Sequence, residues 1–571
     1  MPPRAMPARA EPGRHCPPLH RSSRYNQSKK HMQNSVNSIV IVGGGTAGWM
    51  AAAYLNKTFG DKLQISLVES PTVSTVGVGE ATFSTIKLFF DYLELDERDW
   101  MPACAGSYKL AIKFVDWNAE KKHFYHPFQR HEVVDGFHAG EWWLKLKDTL
   151  GAYDYACFTT PALCDHKRSP RYLDGRVYDH KVAKHFKDEP AFGKNMLADL
   201  TIQYPYAYHF NAGLLANYLK KLAVSRGVRH ISDDVVSVSQ GEDGSIRSVI
   251  TREYGDVAGD LFIDCTGFKG LLINKVLREP FMPFSDSLLC DTALAMQVPR
   301  NVEQEGINPY TCATALNSGW VWNIPLYGRD GTGYVYSSAF ISNEEAEREL
   351  RRHVGSVADQ CNAALIKMRI GRNRNAWVKN CVAIGLANAF VEPLESTGIF
   401  FIQHGIEELV AAFPGRQFES KRVQRYNQAI GDCIDGVRDF LTLHYCASTR
   451  CDTPFWEATK HELKLSDELA GRLAEWKTNL PNSRNINSKY HGFESYSYAV
   501  MLQGLGYLPV HNLPVLDYLD DANALIAFQQ IKDRAHFLCS TLPSQYEYLT
   551  HLYGHPISPA HRHHVPLAFE P

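Results

Sequence analysis

Three groups of residues in this chain have the types and spacing for chemistry. The first is Gly43-Gly-Gly45-Thr-Ala47-Gly48, a G-x-G-x-x-G string followed by Glu69. The first glycine permits a tight turn. The second lets backbone approach a pyrophosphate, whose charge sits at the start of the helix that follows. An acid at the end of the next strand accepts hydrogen bonds from a ribose diol. The second group is Lys109, in the largely apolar run Ser107-Tyr-Lys-Leu-Ala-Ile-Lys-Phe114. Burial lowers a lysine's basicity, so ammonium and amine are both within reach near neutral pH, which arginine does not allow. Its neighbour Lys113 reads as an ordinary surface lysine. The third group is Glu392-Pro-Leu-Glu395-Ser396-Thr397-Gly398. A carboxylate here can stabilise a cation and take a proton from it. By residue type alone, Glu392 and Glu395 are equivalent candidates, and Ser-Thr-Gly is also an ordinary helix start.

These residues need elements to hold them. Ser38 to Val42 is a short β-branched run that breaks at Gly43, Thr46 to Phe59 reads as a helix, and Leu63 to Val68 as a second strand. In that helix Trp49, Ala52, Ala53 and Leu55 are placed to pack inward. This β-turn-α-β unit belongs to a doubly wound parallel sheet. Later strands, Asp260 to Asp264 and Trp377 to Ile384, run into Gly267 and Gly385, so one nucleotide-binding sheet is interrupted by long insertions. An NAD domain would finish within one block; flavin hydroxylase-type folds return to the cofactor far downstream, which favours FAD. Residues 95–215 are aromatic and loop-rich, residues 285–340 carry alternating strand patterns such as Thr332 to Ser337, and from His404 onward the pattern is mostly helical.

Composition narrows the class. The chain has 571 residues, 44% hydrophobic, with a formal net charge of −2, so bulk charge points to no nucleic acid or anionic membrane. It holds 13 cysteines without a C-x-x-C pair, which reads as core thiols in a reducing cytoplasm, with no metal site expected. His561, His563 and His564 are assigned to a polar tail. No apolar run is long enough to span a membrane. Residues 1–31 hold seven Lys or Arg against one acid, Glu11, with no apolar signal core.

Longer strings are more specific. Trp320-Val-Trp322-Asn-Ile324-Pro325 resembles the W-x-W-x-I-P signature of the flavin-dependent tryptophan halogenases, and Phe390-Val-Glu-Pro393-Leu-Glu-Ser396-Thr-Gly398 resembles their F-x-x-P-x-x-S-x-G signature. Gly77-Val-Gly79-Glu-Ala81-Thr82 is similar to their flavin-contacting loop, and the Lys109 run to the stretch with their essential lysine. The resemblance spans residues 37 to about 550. It implies an α/β, flavin-monooxygenase-like FAD-binding fold with an inserted β-rich substrate region and a mainly helical C-terminal part. The divisions expected are a basic, Pro-rich extension (1–36), the FAD module with its insertions (37–403), a helical cap (404–550) and a tail (551–571).

The resemblance also implies a reaction. A separate NAD(P)H-dependent flavin reductase supplies FADH2, which captures O2 as a flavin hydroperoxide; chloride or bromide attacks it to give hypohalous acid. Lys109 hands the halogen to an indole carbon, Ser396 orients Lys109, and Glu395 removes the ring proton. Implied FAD contacts are Gly43, Gly45, Ala47, Gly48, Glu69, Gly79, Ala81, Val235, Leu386 and Ile399, with the halide at the N–H groups of Thr397 and Gly398. Trp320 and Trp322 would wall flavin from substrate. Free L-tryptophan is the expected substrate, with Phe83, His126 and Phe128 around its ring and Tyr490 and Glu494 on its polar atoms. The strings Glu80 to Thr85 and Tyr490 to Tyr498 resemble the 5- and 6-halogenase subgroup and point to the 6-position. Alternatives left open are the 5-position, another indole or a tryptophan-containing peptide, and an aromatic flavin monooxygenase, against which Leu386 stands where hydroxylases carry an aspartate. A homodimer is left open as well.

Overall fold

The computed structural model describes residues 35–73, 80–179, 204–482, 484–486 and 491–555. Gly77, Gly79, Tyr490, the basic extension through residue 34 and the tail histidines lie outside the described residues.

The Ser38–Val42 strand, the Thr46–Phe59 helix and the Gln64–Glu69 strand form where the sequence places them. The sheet they start has six strands, in the order Arg229–Ser232, Gln64–Glu69, Ser38–Val42, Leu261–Asp264, Cys381–Ala383 and Trp377–Val378. The first five run parallel. Parallel strands are covered on both faces, and the two-residue alternation divides the first strand between two layers. Ile39 and Ile41 pack with Trp49, Ala52, Ala53 and Leu55 of the helix. Val40 and Val42 face Ile246, Val249 and Val257 of a small antiparallel sheet on the other side.

The run Trp377 to Ile384 is not one strand. Trp377–Val378 and Cys381–Ala383 pair antiparallel across a tight turn. Lys379 takes a φ of 53° there, and the Asn380 amide is pinned by Ile246 N (2.9 Å) and Ile246 O (2.7 Å). Hydrophobic continuity hides such a turn, because only two polar residues mark it.

A seven-stranded sheet supplies the inserted β region. Its order is Ala363–Lys367, Thr292–Pro299, Arg329–Tyr336, Gly319–Leu326, Tyr310–Ala315, Ala111–Val115 and His123–Pro127. Every pairing is antiparallel except Tyr310–Ala315 with Ala111–Val115. The described part of residues 95–215 is more regular than its composition suggests, with strands at Ser107–Lys109 and Ala207–Phe210 and helices such as Ala139–Leu150. The C-terminal part is helical, led by Ser420–Cys446 and Ala522–Thr541. The Gly398–Ala411 helix runs through residue 403. Among the described residues no helix is long and apolar enough to cross a membrane, and twelve of the thirteen cysteines, those within the described residues, are unpaired and mostly buried.

Candidate active site

The glycine-rich turn is built by close packing. Gly43 takes a φ of +114°, and a Cβ there would stand 2.3 Å from Cys265 O. A Cβ on Gly48 would stand 1.9 Å from Gly43 O. Only glycine satisfies both positions. The helix beyond starts at Gly45 without a side-chain cap, so its first N–H groups are left for an anion. The strand ends converge here. Gly43 N donates to Val68 O (2.9 Å), Cys265 N to Val42 O (2.8 Å), and Ile384 N to Asp264 O (3.0 Å). Ala47 packs on Gly385, the residue before Leu386: a Cβ on Gly385 would come within 2.9 Å of the Ala47 methyl. Asp233 N donates to Glu69 O (2.9 Å), two residues before Val235. Glu69 lies on the turn itself and accepts from Lys220 Nζ (2.7 Å) and His230 Nε2 (2.8 Å). Neither partner is legible in the sequence. An uncapped helix start, a cradle closed to any Cβ and an acid at the strand end fit a dinucleotide.

Lys109 lies in a different sheet from the glycine-rich turn. Its short strand pairs with Ala207–Phe210, and alternation sends neighbouring side chains opposite ways. Tyr108 OH donates to Glu97 (2.7 Å) on one side. Ser107 Oγ donates to Pro325 O (2.6 Å) on the other, which ties this strand to the W-x-W-x-I-P string. Lys109 has 0% of its surface exposed. Its Nζ donates to Ser396 Oγ (2.8 Å) and Thr82 O (3.1 Å), and stands 5.2 Å from the Phe128 ring centre. Burial pushes its ammonium down to about 7, with the Glu395 carboxylate acting in the opposite direction.

Ser396 is the hinge of the third group. Pro393–Glu395 forms one tight turn, Ser396 adopts the left-handed conformation with φ 61°, and the chain enters the Gly398–Ala411 helix. This conformation costs a non-glycine residue about 1 kcal/mol, and the hydrogen bond from Lys109 helps hold it. Thr397 Oγ1 is buried without a partner, and a Cβ on Gly398 would meet nothing within 4 Å. Open space beside an uncapped helix start and an unpartnered hydroxyl suits a small anion.

The two glutamates separate. Glu392 is fully buried and taken up by Trp320 Nε1 (3.0 Å) and the Tyr445 hydroxyl; burial pushes its carboxyl up to about 7. Glu395 lies on the Lys109 side. His126 Nδ1 is 3.0 Å from both its oxygens, and His444 Nε2 is 2.8 Å from one. Burial works to raise the Glu395 carboxyl, but the His126 and His444 imidazoles outweigh it and hold it below the usual carboxylate range. His126, expected only to stack on a substrate ring, is therefore also a partner of Glu395. His444 was not anticipated; a histidine in a helical run carries no local signal.

Aromatic rings pack on the Lys109 side. Phe83 is edge-on to Phe128 (6.0 Å between centres) and to Phe493 (5.4 Å), and His126 is 6.4 Å from Phe493. Phe493 stacks on Phe440 at 3.9 Å, a contact between segments the sequence does not link. Glu494 precedes the Ser495–Leu505 helix at the protein surface and pairs with Arg130, Oε2 accepting from Nε at 2.9 Å. Ala81 and Ile399 are buried on either side of the Lys109–Ser396 contact in sequence. Trp320 and Trp322 are both buried, 6.4 Å apart. Lys113 is not a plain surface lysine; it is largely buried between the rings of Tyr125 and Tyr310.

A parallel sheet with a glycine-rich turn, joined to a buried lysine among aromatic rings, defines a flavin-monooxygenase-like enzyme. The chain belongs to the tryptophan halogenase family, whose pattern it matches over residues 38–521. It is 50% identical to the tryptophan 6-halogenase SttH of Streptomyces toxytricini, over 90% of this chain and 97% of that one. Against the crystal structure of SttH the TM-score is 0.85, covering 90% and 100% of the two chains. It is 49% identical to the 7-chloro-L-tryptophan 6-halogenase KtzR of Kutzneria, over 90% and 99%. The structure of Tar14, a tryptophan C-6 flavin-dependent halogenase (chlorinase) from taromycin biosynthesis, matches with a TM-score of 0.84 at 46% identity, over 90% and 99%.

Proposed function

We propose that this protein halogenates the indole ring of free L-tryptophan at the 6-position. FADH2 comes from a separate NAD(P)H-dependent flavin reductase, and O2 and chloride or bromide are consumed. The observation that carries the reading is the fully buried Lys109 amine, bonded to Ser396 and beside Glu395.

Bound flavin supplies the reduction of oxygen and, with it, an oxidised halide. Gly43, Gly45, Ala47, Gly48, Glu69, Ala81, Val235, Leu386 and Ile399 hold the dinucleotide, and the N–H groups of Thr397 and Gly398 hold the halide. Lys109, near neutrality between ammonium and amine, either hydrogen-bonds hypohalous acid or, as the amine, attacks its halogen, so that the N–halogen bond forms as the oxygen–halogen bond breaks and hydroxide leaves with an amine proton as water. Ser396 and Thr82 O fix where that halogen sits. Phe83, His126 and Phe128 hold the indole so that one carbon faces Lys109. When the ring becomes cationic, its C–H bond breaks, the electron pair returns to the ring and the proton passes to Glu395. A weakly basic carboxylate suffices, because the cation is a far stronger acid. Glu494 serves the ammonium, and Tyr490 makes a polar contact to the amino-acid end. The 6-position is supported by the activities carried in the names of SttH, KtzR and Tar14.

The test is incubation with FAD, a flavin reductase, NADH, chloride or bromide, and either tryptophan or 7-chlorotryptophan. Mass spectrometry and NMR then give product and position. We expect 6-halotryptophan from tryptophan. Hydroxylated product formed without halide would replace this reading with a monooxygenase.

A further inference from the structure

His444 is 0% exposed on the Ser420–Cys446 helix, and both of its ring nitrogens are engaged. Nδ1 stands 2.7 Å from Phe440 O, a carbonyl that only accepts, so Nδ1 carries a proton. Nε2 stands 2.8 Å from Glu395 Oε1. An ionised carboxylate also only accepts, so Nε2 must then carry a second proton, and the ring is an imidazolium. His126 differs. It reaches Glu395 through Nδ1 alone, so one N–H satisfies the contact and no charge is required.

We propose that His444 is the counter-cation of Glu395 and thereby sets the protonation state of Lys109. The inference rests on the roles given to Lys109 and Glu395 above. A bare carboxylate beside a buried lysine would keep that lysine as an ammonium. With an imidazolium in contact, Glu395 stays ionised and able to take a proton, yet presents Lys109 with a nearly neutral pair. Lys109 is then governed by burial and reaches the amine form near neutrality. His444 acts through Glu395 and Lys109, so it is a positioning residue. The other surroundings support the assignment. Phe440, Phe114 and Trp117 pack around the His444 ring and carry no charge. The titratable groups facing the site are Glu395, His126 and Lys109, with Glu392 turned to Trp320 and Tyr445; His209, on the strand beside Lys109, is held by the Ser107 and Thr311 hydroxyls, and burial keeps its imidazole well below the usual range. The sequence gives no hint of this pair, since forty-nine residues separate its members.

The experiment uses the full-length protein and its His444→Gln variant, which keeps an amide donor to Glu395 but cannot be charged. Long-range proton–nitrogen spectra of histidine-labelled protein, with the His444 signal identified by its loss in the variant, report the ring directly. We expect an imidazolium at about pH 7; a neutral tautomer there overturns the proposal. The second readout is the pH profile of turnover. In His444→Gln the limb governed by Lys109 moves to higher pH by about one unit or more, a tenfold loss at about pH 7 that recovers toward pH 9. A loss of the same size at every pH would show a merely structural role and also overturn it. FAD binding checks the fold of the variant. If the parent protein halogenates nothing, the functional reading fails by itself, and the spectra still decide the state of His444.

Discussion

Lys109→Met keeps the length and apolar stem of the side chain and removes the charge. The folded ammonium is pushed by burial from 10.5 to about 7. The unfolded chain titrates near 10.5, so between about 7 and 10.5 it binds a proton that the folded protein does not. Stability therefore rises with pH through that window. At 1.36 kcal/mol per pH unit, burying the lysine costs the native state about 5 kcal/mol below pH 7. The bonds to Ser396 and Thr82 O return about 1 kcal/mol each. Lys109→Met should thus be more stable than the parent by about 3 kcal/mol at pH 6.5, while losing halogenation and retaining FAD. The sharper quantity is the change of that difference with pH, in which the hydrogen-bond contributions largely cancel. Urea unfolding of both proteins at about pH 7 and about pH 9 should show the gap narrowing by 2–3 kcal/mol. A gap independent of pH would mean that Lys109 titrates like an exposed lysine, and the case for a buried amine would fail. Normal turnover by the variant would refute halogen delivery separately.

Other substitutions test the remaining parts. Glu395→Gln preserves shape but cannot take the ring proton; halogenation measured by mass spectrometry should fall by about 10²- to 10⁴-fold with FAD binding intact. Gly398→Ala places a methyl where nothing lies within 4 Å, so unfolding should shift by less than about 0.5 kcal/mol while the KM for chloride rises; an unchanged halide KM would remove the anion from this position. Gly43→Ala drives a methyl to 2.3 Å from Cys265 O at positive φ, and flavin titration should show binding lost together with about 2 kcal/mol or more of stability. Glu494→Gln breaks a half-exposed pair with Arg130, so stability should change by under about 1 kcal/mol, and a roughly tenfold rise in the KM for tryptophan is expected if Glu494 meets the ammonium.

How far the sequence reached depends on how local each signal is. The Gly43–Gly48 turn, the Thr46–Phe59 helix and Glu69 lie in one β-turn-α-β unit, whose geometry follows from glycine spacing and from periods of two and 3.6 residues. Lys109, Ser396 and Glu395 sit in long, recognisable strings, yet their meeting is tertiary: 287 residues separate the partners of the Lys109–Ser396 bond. The choice between Glu392 and Glu395 was open by residue type. It was decided by which carboxylate the fold turns toward Trp320 and Tyr445 and which toward His126 and His444. The hairpin at Lys379, the Arg130–Glu494 pair and the Phe493–Phe440 stack were invisible for the same reason. Backbone propensity and side-chain periodicity act over a few residues and are written in the chain. The protonation state of a buried amine depends on every charge and dipole within several ångströms, and only the packed fold determines which those are.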